Sequence, residues 1–256
     1  MMGTSHAVSG AAAWVAVAST TIPALGLYPV DPLTLLVGAV VCAGAALLPD
    51  ADHHNATIAH SIPIAGKVAA GVVGGVSGGH RKGMHSLIAV ALVIIGMFYL
   101  GQWQWQPDGW SHTLGMGAGV AVMATVAFAT KVLKVAKSWP LAWILGAVLG
   151  AAAALASPED TAWLPWCIGT GYLAHLLGDA LTSGGVPFAW PIVIKPPKLW
   201  KKMPIISHIW LPNGALAVPV LGDTGSWREW LLSSLLGLYA LWGLIIAGID
   251  AIQTMF

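Results

Sequence analysis

Long apolar runs separated by short polar breaks make up most of this chain. The first covers residues 7–25, is rich in Ala, and has His6 at its start. The second covers 33–48, a little short of the ~20 residues that span a bilayer, and runs straight into Pro49-Asp50-Ala51-Asp52-His53-His54. Further runs cover 86–101, 113–130, 140–156, 163–182 and about 229–248. The stretch 62–79 is apolar too, but Lys67 and frequent Gly interrupt it, so it reads as a surface-lying or re-entrant helix. This pattern predicts an all-α, polytopic helical membrane protein of about seven spans plus that one extra helix. No soluble domain, low-complexity tail or repeat is visible, so residues 1–256 read as one integral-membrane helical domain.

Composition agrees. The chain is 57% hydrophobic and 8% charged, against roughly 25% charged in a soluble domain. Fourteen Trp beside four Phe suit aromatic belts at a membrane interface. A net charge of +1 gives no reason to expect a nucleic-acid partner. Cys42 and Cys167 lie in apolar runs without CxxC spacing, which argues against a thiolate metal site or a disulfide framework. No basic residue precedes the first apolar run, which argues against a cleavable signal peptide.

Lys and Arg bias sets the orientation of membrane helices. With the N-terminus in the cytoplasm and 62–79 not crossing, Lys67, Arg81, Lys82, the lysines of 131–137, those of 195–202 and Arg228 all fall inside. The outside loops hold Asp31, Asp108, Glu159 and Asp160 and no cation. All eleven cations agree with this arrangement.

The same topology gathers chemistry. In CIGTGYLAHLLGDALTSGGVPFAW (167–190), His175 and Asp179 are four apart on one helical face, and Ser183-Gly184-Gly185 and Pro187 end that helix just beyond them. Ionisable groups in an apolar span are costly and mark function by default. His6, Asp50, Asp52, His80, His85, His175 and Asp179 are then all expected at the cytoplasmic face. Imidazoles and carboxylates suit Zn²⁺, Mn²⁺ or Fe²⁺. Their number exceeds what one tetrahedral zinc needs, so two divalent ions, zinc first, are expected. Asp52 is a candidate catalytic carboxylate, and the Arg81 guanidinium suits an anionic oxygen.

LLPDADHH (47–54), HRKGMHSL (80–87) and GYLAHLLGDALTSGGVPFAWP (171–191) resemble the motifs of the membrane-bound, metal-dependent hydrolase family associated with LexA regulation, the YdjM-like proteins. The resemblance covers most of residues 1–191. It implies a bacterial cytoplasmic membrane location, metal ligation by the seven residues above, and His53 as a ligand or base. Lys82 and Met84 depart from the usual second motif without removing a ligand.

Two functions of different classes follow. One is a membrane metallohydrolase acting on a phosphoester or ester, lipid-borne or small, with membrane lipids as partners. The other is a non-catalytic divalent-metal binder or transporter, which the lack of ionisable residues in the outer halves of the spans disfavours. His54, His60 and His208 read as surface or packing residues, and His112 as an ordinary interfacial one. The lysines of KPPKLWKK (195–202) read as anchors to anionic headgroups. Gly71 to Gly79 suggest close helix packing, since no GK[ST] follows.

Overall fold

The computed structural model describes the chain except residues 22, 54, 63, 64, 80, 157–160, 201, 202, 204, 205 and 256. Its α-helices, in order, are α1 (Gly3–Ala18), α2 (Pro32–Ala45), α3 (Ala65–Val76), α4 (Leu87–Gly101), α5 (Met116–Val132), α6 (Trp139–Ala156), α7 (Trp163–Ala180), α8 (Ile206–Ile209) and α9 (Trp227–Met255). Short 3-10 turns at Leu48–Asp52, Thr57–His60 and Gly83–His85 fill the region between α2 and α4. There is no β-strand among the described residues. Isolated bridges such as Val186 with Leu216 organise the stretch between α7 and α9.

Local chemistry sets the boundaries. Asp31 caps α2, its Oδ1 accepting from the Leu33 and Thr34 N–H groups at 3.0 Å, and Pro32 follows at the first helical position. Ser86 caps α4 by accepting from the Ala89 N–H at 3.2 Å. The expected first span ran to residue 25, but α1 stops at Ala18. Pro23 and Gly26, whose φ is +58°, turn the chain back, so that Leu25 and Tyr28 N–H bond to Ala16 and Val17 carbonyls at 2.7 and 3.0 Å.

Helices α1, α2 and α7 pack on one another and form the centre. Helices α5 and α9 lie against α2, α4 against α7, and α6 against α5. Small residues permit the close approach. A Cβ on Gly10 would come 2.5 Å from the Cys42 carbonyl oxygen, and one on Gly171 would come 2.4 Å from it. Both outer helices therefore touch the α2 backbone at one level. Cys42 and Cys167 are buried and free, as expected of core residues.

Among the described residues, three stretches are long and apolar enough to cross a membrane: Pro32–Asp52, Trp139–Ala156 and Trp227–Thr254. On α9, Leu231, Leu235, Leu238, Trp242, Ile245 and Ile249 recur three or four apart and are exposed, an apolar stripe turned away from the protein. Lipid is the solvent that suits it. The twelve residues of α3, within the stretch 62–79, extend about 18 Å.

Candidate metal centre

The packing level at Cys42 fixes what lies one turn further along each central helix. Four residues before Gly10 is His6; four after Gly171 is His175; four after Cys42 is Ala46. These three meet. The His6 and His175 rings stack with centroids 3.6 Å apart and planes within 13°. His175 Nδ1 donates to the Ala46 carbonyl oxygen at 2.7 Å, since a carbonyl can only accept. That fixes the tautomer and leaves the lone pair on Nε2 facing the centre.

His85 arrives from the Gly83–His85 turn. The Tyr172 hydroxyl on α7 donates to Met84 O at 2.6 Å, and Ser86 Oγ donates to Gly83 O at 2.6 Å, so the turn is held on both sides. His85 Nδ1 lies 3.6 Å from Asp52 Oδ2. Its Nε2 lies 3.3 Å from His175 Nε2. Asp50 Oδ1 and Asp179 Oδ2 are each 3.7 Å from both of these nitrogens.

Two imidazole nitrogens and two carboxylate oxygens thus form a nest with five separations of 3.3 to 3.7 Å. Ligands bound at about 2.0–2.2 Å in a tetrahedron stand about 3.3–3.6 Å apart, so the two imidazole nitrogens with the Asp50 oxygen, or with the Asp179 oxygen, fit a divalent ion in type and spacing. Two groups of donors, each with its atoms within 4.8 Å of one another, could hold metal: Asp50 with His85 and His175, and His6 with His175 and Asp179.

Asp179 joins the two. Its Oδ2 belongs to the nest, while its Oδ1 lies 3.2 Å from His6 Nε2 and accepts from the Met1 ammonium. Among the described residues, His6 Nδ1 is buried without a hydrogen-bond partner. Arg81 Nη2 reaches Asp179 Oδ2 at 3.3 Å. The Arg81 backbone sits at φ +55°, uncommon for a residue other than glycine and a form of strain found at functional sites.

Not every expected ligand joins the nest. Asp52 falls outside both donor groups and stands behind His85, where a ligand's supporting carboxylate stands. His53 is in the adjacent turn, its Nδ1 accepting from the Asn55 N–H at 3.3 Å, and outside both groups. His80 and His54 lie outside the described residues, as do Glu159, Asp160, Lys201 and Lys202. His60, His112 and His208 are exposed, in keeping with surface roles. Residue patterns did not reveal the Ala46 carbonyl or the two glycines. The only available signal was a glycine four residues from a buried histidine in both α1 and α7.

The model of the YdjM inner membrane protein family matches residues 1–131 and 137–249. The chain belongs to that family. The family name and the apolar helices agree on a membrane location. No curated protein matches the chain, and no solved structure does.

Electrostatics and access complete the description of this family member. Burial works against a charged His85, but the Asp50 and Asp52 carboxylates outweigh it and push its pKa up to about 9. A metal entering the nest must displace that proton. The side chains of His6, His85, His175, Asp52 and Asp179 are at most 2% exposed, whereas Asp50 and Arg81 are each 28% exposed. Access to the buried cluster is therefore by way of Asp50 or Arg81.

Proposed function

We propose that the chain is a membrane-embedded, metal-dependent hydrolase whose His/Asp centre acts on a phosphoester or ester carried by a lipid. The observation that carries the reading is the four-donor nest of Asp50, His85, His175 and Asp179, with Arg81 directly beside it. The topology proposed with it has seven spans and the N-terminus, with the centre, on the cytoplasmic side.

One ion would be held by the nest, and a second would be held by His6 with Asp179 Oδ1. His175 has only Nε2 to offer, since Nδ1 is engaged by Ala46, so it serves one ion. Zinc is the first choice for such N/O donors, with Mn²⁺ or Fe²⁺ as alternatives. Ions held there supply Lewis acidity and a water acidified to near neutrality.

The protein's own groups do the rest. Asp52 and the Ala46 carbonyl fix the two imidazoles, so the donors are set before a substrate arrives. Arg81 offers its fork to the substrate's anionic oxygen. A cavity of about 370 Å³ lined by Leu48, Ala51, Ile58, Ile62, Val73 and Phe128 adjoins the turn that carries Asp50 and Asp52. Its apolar wall suits the chain of a lipid.

The test is a panel of total lipid extract and soluble phosphoesters, given to metal-loaded wild type and to Asp50→Asn. Turnover that is lost in the variant and on chelation supports the reading. Equal product from both on every substrate would move the assignment to a non-catalytic metal-binding protein.

A further inference from the structure

Arg81 also lines a second cavity, of about 290 Å³. Its polar lining consists of Arg81, Lys82 and Asn213, and Trp190, Pro187 and Val193 supply apolar wall. Among the described residues, the lining contains no Asp or Glu. Asp179 lies 3.3 Å from Arg81 Nη2 and is not part of the lining.

The three polar groups are all donors. Asn213 Oδ1 accepts from the Ala215 N–H at 3.0 Å, which leaves the side-chain NH₂ as the free end. Lys82 brings three N–H bonds and Arg81 a planar fork. The guanidinium has its place because residue 184 is glycine: a Cβ there would come 1.9 Å from Arg81 Nη1. Arg81 is therefore shared, one nitrogen on a carboxylate of the metal centre and another over Gly184 at the cavity.

We propose that this cavity is an anion subsite that takes a phosphate monoester or diester group, bound by Arg81, Lys82 and Asn213 at the edge of the metal centre. A tetrahedral oxyanion can satisfy three converging donors at once, and a guanidinium fork matches its geometry. A neutral ester would offer no oxyanion to the Lys82 ammonium or to the part of the Arg81 fork that Asp179 does not engage, so the subsite selects phosphate-bearing amphiphiles over neutral ones. Trp190, Pro187 and Val193 then meet the first carbons attached to the phosphate. The inference rests on the hydrolase reading for calling the bound group substrate, and not for its binding.

Binding is measured on the full-length protein in detergent after chelation, so that no metal contributes. The probes are inorganic phosphate and, in nanodiscs, phosphatidate in phosphatidylcholine against phosphatidylcholine alone. Wild type should bind phosphate, phosphatidate or both, and the pair of probes tells a free anion from a lipid headgroup. Lys82→Gln with Asn213→Leu should weaken binding about tenfold or more, the scale of lost charge-assisted hydrogen bonds. Lys82→Arg should stay near wild type. Metal uptake on reloading checks the fold, because neither residue is a proposed ligand; if the double variant fails that check, Lys82→Gln alone decides by the same criterion. Binding of neither probe by wild type, or equal binding by the variants, overturns the subsite. Phosphate binding without turnover of any substrate would instead overturn the hydrolase reading and leave the subsite standing.

Discussion

Asp50 and Asp52 are two positions apart, yet one faces the imidazole nitrogens of the nest and the other stands behind His85. Their substitutions should differ accordingly. Asp52→Asn should weaken metal affinity about 10–100-fold, the usual cost of losing a ligand's supporting carboxylate, while content at saturating metal stays near wild type. Asp179→Ala removes the carboxylate that lies against both His6 and His175 and should leave the purified protein with little bound metal. His6→Ala should take content from about two ions per chain to about one, since it touches only the second position. Metal analysis of detergent-purified protein, with a competing chelator for affinity, reads all three. Equal content in His6→Ala and wild type would reduce the centre to the single nest.

The elements matter because they set the level at which these side chains meet. Gly171→Ala would push a Cβ to 2.4 Å from a backbone carbonyl, which no rotamer can relieve. Overpacking of this kind costs about 1–3 kcal/mol, and metal should be lost with it as α7 moves off α2. Gly96 on α4 has no heavy atom within 4 Å of such a Cβ, so Gly96→Ala should be neutral or stabilising. Thermal melts in detergent compare the two.

At the start of α2, Asp31→Ala should cost about 1 kcal/mol as a lost cap. Partial burial opposes the Asp31 charge, but hydrogen bonds from the Thr34 hydroxyl and the Thr34 and Leu33 N–H groups outweigh it and hold its pKa below the ordinary value. A lowered folded-state value means the contribution is present above the unfolded pKa, about 3.9, and fades as pH falls below it. The gap between wild type and Asp31→Ala should therefore be full at pH 7 and narrow on acidification through that range.

For the whole molecule, the proposed orientation makes a sharp demand on labelling. In a background lacking Cys42 and Cys167, single cysteines at 134 and 198 should react only from the cytoplasmic side, and one at 108 only from outside. Outside labelling at 134 would break the placement of the metal centre at the cytoplasmic face. The exposed stripe on α9 and the exposed side of α6, with Ile144, Val148 and Leu155, are the surfaces expected to meet lipid in that arrangement.

Much of this was legible in the residues alone. Apolar runs without charge become helices because lipid offers the backbone no hydrogen-bonding partner. Buried His and Asp in such runs are too costly to be accidental, so their types pointed to a candidate metal centre before any geometry was known. Tertiary structure decided which of these donors come together. Sequence cannot rank Asp50 against Asp52, because the difference depends on which side of His85 each carboxylate falls, and that is set by the turn at 48–52. Nor can it place the Ala46 carbonyl, since backbone atoms carry no residue signature. The sharing of Arg81 between Asp179 and a cavity also required the fold, because only the approach of a turn at 81 to a glycine at 184 creates it.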